Sequence, residues 1–204
     1  MRTLRWLQLS VVLSVLAVPA LAAAGNFDLS LHGGLDRYDA FGLKSGLGGV
    51  SDEGQLKDAS THIGATFIFR SGILELGAIG ELGRPGSDGA TTFLGALAGA
   101  GFDLGQLRLE LLAEVGGHRY GDLLQDSTVV SRSKSEAWLL SAGVRPGLSV
   151  HFGPNGTFLA GLWAFARWDV TSSDVIVNVG GANQSTYELG GAQFGMALRL
   201  GVSL

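Results

Sequence analysis

Apolar and polar residues alternate along much of the chain with a period of two, most clearly at its C-terminal end. The apolar phase there consists of Phe194, Met196, Leu198, Leu200, Val202 and Leu204. The same period runs from Leu107 to Val115, where Arg108, Glu110 and Glu114 occupy the opposite phase. Successive side chains of a β-strand point to opposite faces, so this pattern predicts amphipathic strands rather than helices.

Six further segments have the composition and length of strands, which brings the predicted number to eight. They are Phe27–Asp36, Ser60–Phe69, Ile73–Gly83, Thr91–Phe102, Trp138–Phe152 and Phe158–Asp169. The phase of Thr91–Phe102 is ambiguous, because both of its faces are apolar or glycine. A chain made of many short strands predicts an all-β sandwich or barrel.

The predicted connections alternate in length. Three are short and contain residues that favour tight turns: Arg70–Gly72, Asp103–Gly105 and Gly153–Gly156. The others, three of them long and polar, are Arg37–Ala59, Arg84–Ala90, Tyr120–Ala137 and Val170–Glu188. Outer-membrane barrels have short periplasmic turns and longer external loops. We therefore expect an all-β, eight-stranded antiparallel up-and-down transmembrane β-barrel in a Gram-negative outer membrane, with both termini in the periplasm.

Aromatic residues fall at the ends of the predicted strands. Beside the short turns and the termini they are Phe27, Phe67, Phe69, Phe102, Phe152 and Phe158. At the opposite ends they are Trp138 and Trp168, joined by Tyr38, Tyr120 and Tyr187. Aromatic belts at both interfaces are typical of membrane-spanning proteins. The pattern predicts two membrane-interface belts.

The N-terminus has the layout of a signal peptide. Arg2 and Arg5 precede an uncharged apolar run that ends in small residues, with cleavage expected after Ala22 or Ala24. This predicts a cleaved signal over residues 1–24 and a single barrel domain over 25–204. The 18 acidic residues outnumber the 14 basic ones and no basic patch occurs, which argues against a nucleic-acid partner. The chain has no cysteine and therefore no disulfide framework.

The charges on the polar phase bear on what the barrel encloses. The residues predicted to form a lumen charge network are Arg70, Glu75, Glu81, Arg108, Glu110, Glu114, Arg145, Arg167 and Arg199. Asp169 balances this set, which contains no lysine. Balanced charges indicate a cramped interior, since side chains just fill an eight-stranded barrel. The alternative is a secreted lipocalin-like barrel with its apolar face inward, which would carry many more exposed Lys and Glu.

The charge network has two interpretations. We favour a structural plug, in which Arg and Glu pair across the lumen. The alternative is an ion pathway gated by exchange of partners among Glu75, Glu110, Arg145 and Arg199. Eight strands enclose too little space for an open channel, so the plug is the prediction that we retain.

Catalytic and metal sites have only weak support. Ser30 with His32, and Ser149 with His151, share a strand face and raise the alternative of a lipid-modifying barrel enzyme. Neither pair has a local acid to orient the imidazole. His118 near Glu114 lacks a third metal ligand. We expect no catalytic residue, cofactor or metal site.

In these features the chain resembles the OmpA- and OmpX-type family of small outer-membrane barrels, in architecture and not in motif. The family usually ends in an aromatic residue that the barrel-assembly machinery recognises, whereas this chain ends in Leu204. The resemblance implies outer-membrane lipids, lipopolysaccharide and that machinery as partners. It implies a structural or surface-binding role in envelope integrity or adhesion, with external loops as the binding surface for an unnamed ligand. The stretches Asp174–Val179 and Ser185–Leu189, joined by a turn at Gly180–Asn183, predict a hairpin that extends the last two strands above the membrane and whose edge could pair with a partner strand.

Overall fold

The computed structural model describes residues 26–39, 59–85, 90–121, 130–132, 136–179 and 183–204. The predicted signal peptide, 1–24, lies outside this range. The strands are β1 Asn26–Asp39, β2 Ala59–Ser71, β3 Leu74–Pro85, β4 Ala90–Leu104, β5 Leu107–Gly121, β6 Val130–Arg132, β7 Glu136–Phe152, β8 Phe158–Asp169, β9 Ser173–Val179, β10 Asn183–Leu189 and β11 Ala192–Ser203. Among the described residues, no helix has the length and apolar character needed to cross a membrane.

Eight of the strands close into one barrel, which confirms the predicted fold. Their order around the barrel is β1, β11, β8, β7, β5, β4, β3 and β2, and every neighbouring pair is antiparallel. The first and last strands meet at the closure. There the backbone N–H of Phe27 donates to the carbonyl oxygen of Leu204 at 3.0 Å, and the N–H of Leu204 donates to the carbonyl oxygen of Phe27 at 2.9 Å. A closed barrel pairs the backbone of every strand on both sides, as a chain in hydrocarbon requires.

The two ends of the barrel differ as predicted. One end, which we call the turn end, carries the three tight connections and the closure near Leu204. Gly72, Gly105 and Gly153 have positive φ in these turns, a conformation that glycine adopts without steric cost. The other end, which we call the loop end, carries the remaining connections between barrel strands. Most residues of these connections lie outside the described ranges.

The outer surface of the barrel is apolar. Along β1 and β11, Leu31 and Leu198 are exposed, at 70% and 69%, while the residues that alternate with them are polar or small and face inward. Exposed aliphatic residues continue on the other barrel strands. A lipocalin-like barrel would have the opposite orientation, so that alternative is wrong for this chain. An apolar band of this extent on a closed barrel suits contact with lipid.

The ambiguous strand, β4, takes the phase that turns Phe93 and Leu97 inward. The sequence could not assign this phase because the lumen contains its own apolar cluster. The cluster consists of Ile68, Ile79, Phe93, Leu97, Leu112 and Trp163. Glycine makes room for these large side chains: a Cβ at Gly147 would collide with the indole of Trp163.

Three short strands form a separate sheet beyond the loop end, in the order β10, β9, β6. β9 and β10 pair antiparallel from Ser173 with Leu189 to Val179 with Asn183, which confirms the predicted hairpin. Val130–Arg132 of β6 pairs with the other side of β9, a contact that the sequence did not predict. In the sheet order, β10 is an edge strand.

Candidate functional site

The nine charged side chains that the sequence assigns to the interior all lie on the inward phase. Eight are buried, and Arg70 at the turn end is partly exposed. They come from β2, β3, β5, β7, β8 and β11, so their contacts run across the lumen as well as between adjacent strands. Their functional role stays a prediction.

Four of these side chains, Glu81, Glu114, Arg145 and Arg167, form the group that we call the central quartet. Nη2 of Arg145 donates to Glu81 Oε1 at 2.8 Å and to Glu114 Oε2 at 2.9 Å. Arg167 donates from Nη2 to Glu81 Oε2 at 2.7 Å and from Nε to Glu114 Oε1 at 2.8 Å. Each carboxylate therefore binds both guanidinium groups. Charge-assisted bonds of this kind are the strong hydrogen bonds of proteins.

Aromatic rings cover the guanidinium groups of the quartet. The Cζ atom of Arg167 lies 3.5 Å from the ring centroid of Phe93, and that of Arg145 lies 4.7 Å from the centroid of Phe165. Arginine suits this environment because its planar group stacks on rings while its edge donates to carboxylates. The quartet and its rings occupy this level of the lumen with large, buried side chains, among which Nη1 of Arg145 has no hydrogen-bond partner.

A second set of charges lies nearer the turn end. Arg199 donates from Nη1 to Glu110 Oε2 at 3.0 Å, and its Nη2 lies 3.5 Å from Asp28 Oδ2. Asp28 also accepts from Arg70 at 2.6 Å. The indole of Trp163 donates to Glu110 at 2.9 Å and lies under the Arg199 guanidinium, 4.3 Å from Cζ to the ring.

A third group of charges, formed by Arg108, Glu75 and Asp103, opens toward solvent. Arg108 donates from Nε to Glu75 Oε1 and from Nη1 to Asp103 Oδ1, both at 2.7 Å. The side chain of Asp103 is 63% exposed, whereas that of Glu75 is buried. The charges thus change from fully enclosed at the quartet to partly solvated at the turn end.

Exchange of partners among Glu75, Glu110, Arg145 and Arg199 has little support in this geometry. Of these four residues, only Glu110 and Arg199 contact each other. Glu75 pairs with Arg108, and Arg145 belongs to the quartet. Breaking a buried pair leaves an uncompensated charge at a cost of about 3–5 kcal/mol, so the pairs hold one arrangement.

The serines and histidines that raised the enzyme alternative have other partners. The predicted pairs were Ser30 with His32 and Ser149 with His151. The Ser30 hydroxyl accepts a bond from Arg199 at 2.8 Å, and His32 Nε2 lies 3.0 Å from Glu81. Ser149 donates to Glu110 at 3.3 Å, and His151 lies 3.9 Å from Asp28. Ser30, Ser149 and His32 are thus held by hydrogen bonds within the lumen, whereas Nε2 of His151 has no hydrogen-bond partner.

His118 contacts Asp169 and Tyr120 rather than Glu114. Its Nδ1 lies 3.3 Å from Asp169 Oδ1 and 2.7 Å from the Tyr120 hydroxyl, which donates to Asp169 Oδ2 at 2.6 Å. Ser141 also donates to Asp169, at 2.5 Å. The assignment of Tyr120 to an interface belt is therefore wrong, because Tyr120 has the inward phase of β5 and is buried.

The other predicted belt residues take outward positions with different exposures. The exposed ones are Phe102, Trp138, Phe152, Phe158 and Trp168. Phe67 and Phe69 are partly exposed, and Phe27 is buried, with its ring centroid 5.6 Å from that of Phe67. Their contact with a membrane interface stays a prediction, as do the side chains of Tyr38 and Tyr187, which lie outside the described part of the structure.

Sequence reasoning missed several buried groups of the lumen. Asp28, Asp36 and His62 are all buried on the inward phase, although none was among the predicted network residues. The signal that could have found them is their alternation with outward residues such as Leu29 and Leu35. A strict count of every polar inward position would have included them.

Solved structures similar to this chain are small outer-membrane proteins. Neisserial surface protein A matches with a TM-score of 0.52 and 11% identity, over 86% of this chain and 96% of that one. OprG from Pseudomonas aeruginosa matches with a TM-score of 0.49 and 11% identity, over 89% of this chain and 96% of that one. Ail, the attachment invasion locus protein of Yersinia pestis, matches with a TM-score of 0.46 and 14% identity, over 88% of this chain and 99% of that one. The chain has the fold of a small outer-membrane barrel. No protein-family model and no curated protein matches it.

This fold agrees with the surfaces of the barrel. An outward apolar band and an inward polar network are the arrangement expected of a transmembrane β-barrel. Together the fold and the band indicate an integral outer-membrane protein. At these low sequence identities the similarity shows the fold alone, so the function of the barrel has to be inferred from its own geometry.

Proposed function

We propose that this protein is a non-conducting outer-membrane barrel that holds an external binding surface, with a structural or adhesive role in the cell envelope. The loop end faces outward and the turn end faces the periplasm, as the short turns favour. Outer-membrane lipids and lipopolysaccharide contact the apolar band, and the barrel-assembly machinery inserts the chain. The observation that carries the proposal is the filled lumen.

The central quartet supports a closed barrel. Four charges and the rings of Phe93 and Phe165 occupy one level of the lumen, and every charge of the quartet has two opposite partners. An eight-stranded barrel has room for little more than its own side chains. In a planar lipid bilayer we expect no sustained conductance. Stable single-channel steps in the purified wild-type protein would contradict this part of the proposal.

The sheet beyond the loop end supports a binding surface. β9 and β10 extend the backbone past the barrel, and β10 lies at the edge of that sheet. Edge strands can pair with an extended segment of another protein. A rigid barrel that carries such an edge resembles the many scaffolds whose function lies in their loops.

The test is removal of residues 174–183 from the chromosomal copy. We expect cells to adhere less to cultured epithelial cells and to polystyrene, by as much as a full deletion of the protein. Removal of residues 41–50, of equal length and in a different loop-end connection, is the matched control. Each variant is first checked for compact migration of the unboiled sample on a detergent gel.

Two outcomes would overturn the binding role. Adherence could be unchanged after the full deletion, or the variant lacking 174–183 could adhere as well as wild type. A soluble protein that does not shift on heating would contradict the membrane location itself. These results are distinguishable, because gel migration and fractionation are read independently of adherence.

Absence of enzymatic activity is part of the same proposal. The hydroxyls of Ser30 and Ser149 are engaged with Arg199 and Glu110, which supports a packing role. We expect mass spectra of lipid A and phospholipids to be the same in wild-type and deletion cells. A difference of one acyl chain would favour the lipid-modifying enzyme instead.

A further inference from the structure

Two histidines and a glutamate meet in the loop-end half of the lumen. His32 on β1, His62 on β2 and Glu81 on β3 each offer one ligand atom, and these atoms lie within 4.8 Å of one another. All three side chains are buried. Two imidazoles and a carboxylate are a ligand set that Zn²⁺ and related transition metals use, with a fourth position left open.

Glycines clear the space between these ligands. Gly64 lies between His32 and Glu81 in the register of β1, β2 and β3, and a Cβ at Gly64 would lie 2.5 Å from His32 Nε2. His62 has glycine as its register partner on both sides, Gly34 on β1 and Gly83 on β3. The three ligands can therefore lean toward one another over backbone that carries no side chain.

The histidines have unused ring nitrogens. Within the described residues, neither ring nitrogen of His62 has a hydrogen-bond partner, and Nδ1 of His32 has none. His62 is 4% exposed, so bulk water does not solvate these atoms. A buried polar atom without a partner costs about 1–3 kcal/mol, so the site is incomplete without a further partner for His62.

A buried negative charge lies beside His62. Asp36 Oδ2 is 3.7 Å from His62 Nδ1 and accepts a bond from the amide of Gln193, while Oδ1 of Asp36 is unpartnered. Among the described residues, Asp36 thus lacks the arginine partner that the quartet carboxylates have. Buried carboxylates are normally paired with a cation or a metal. The charge of Asp36 favours a cation at the adjacent histidine.

We propose that His32, His62 and Glu81 bind one divalent transition-metal ion, of which Zn²⁺ is the expected species. His62 binds through Nε2, and its Nδ1–H is directed toward Asp36. Metal-bound histidines commonly donate their second N–H to a carboxylate, which fixes the ring and strengthens it as a ligand. The ion replaces the hydrogen bond between His32 Nε2 and Glu81.

Small movements are enough to form this site. Ligand atoms about 2.0–2.2 Å from a tetrahedral ion are roughly 3.3–3.6 Å apart. His32 Nε2 and Glu81 Oε1 are already 3.0 Å apart. Glu81 can keep its bonds to Arg145 and Arg167, because a carboxylate has about four acceptor positions. His62 also lines a pocket of about 380 Å³ between β2, β3 and β4, which is the route that we expect an ion to take.

The first test uses the wild-type protein, purified from membranes in detergent, at near-neutral pH. The chain has 4 histidines, and each of them lies inside the barrel. Addition of Zn²⁺ should saturate at one ion per chain in calorimetry and should shift the imidazole ¹⁵N signals of His32 and His62 only. Co²⁺ should give the visible absorption of a nitrogen- and oxygen-coordinated ion. Absence of saturable binding, or shifts at other histidines, would overturn the proposal.

The second test compares variants that stay compact on an unboiled gel. His62→Gln should weaken Zn²⁺ binding at least tenfold, and Asp36→Asn by about 10–100-fold. His151→Gln is the matched control, because His151 also faces the lumen near a carboxylate, 3.9 Å from Asp28. The control should bind as wild type does. Equal binding by His62→Gln and wild type, or equal loss in His151→Gln, rejects the site.

Discussion

The outward and inward faces of the barrel come from alternate residues of the same strands, yet they are built differently. Each outward residue, such as Leu198, contacts lipid independently of its neighbours, so any apolar side chain of suitable size can occupy the position. Inward residues are specified in pairs: Arg167 binds Glu81 and Glu114 together. The outward face therefore determines where the chain resides, and the inward face determines which particular barrel it forms.

The largest effect should come from the lumen. Arg167→Met removes one of the two cations of the central quartet, so that Arg145 is the one guanidinium group left for both Glu81 and Glu114. We expect the free energy of unfolding to fall by about 3–5 kcal/mol, because the substitution leaves a buried charge uncompensated. Urea unfolding in lipid vesicles, followed by tryptophan fluorescence, measures the change. A loss below about 1 kcal/mol, the range of exposed pairs, would show that the quartet is solvated.

The next effect concerns the outward face. Leu198→Arg places a charge on the lipid face near the middle of β11. We expect a loss of about 2–4 kcal/mol in the free energy of unfolding from vesicles, the cost of an arginine at the bilayer midplane. Leu198→Ile is the control and should change stability little. If the two variants were equally stable, Leu198 would not face lipid.

The two faces also differ in what the sequence could predict. The outward pattern is local, since a period of two is visible within one strand, and the predicted Phe158–Asp169 is the observed β8. Inward partners depend on register across the barrel. Glu81 and Arg167 are 86 positions apart, and the sequence around one residue does not indicate that the other is its partner. The histidine and glutamate cluster was missed for this reason, because His32, His62 and Glu81 lie on three strands.

A smaller effect is expected from glycines on the two faces. Gly147→Val should destabilise the barrel by about 1–3 kcal/mol, because the added side chain collides with Trp163 in a filled lumen. Gly80→Val is the matched control on the outward phase, where a Cβ meets only the flexible end of Leu94, at 3.3 Å. Unfolding of both variants under the same conditions gives the comparison. Equal losses would mean that backbone effects of valine, and not packing in the lumen, decide the cost.

The smallest effect should be found where the lumen meets solvent. Asp103→Asn removes an exposed carboxylate from Arg108, which keeps its buried partner Glu75. We expect a loss of about 0.2–1 kcal/mol, and less at high salt, since exposed ion pairs are weak and screened. Unfolding at low and high ionic strength measures both. A loss as large as that of Arg167→Met would show that burial does not distinguish the quartet from the turn end, and the contrast between enclosed and solvated charges would fail.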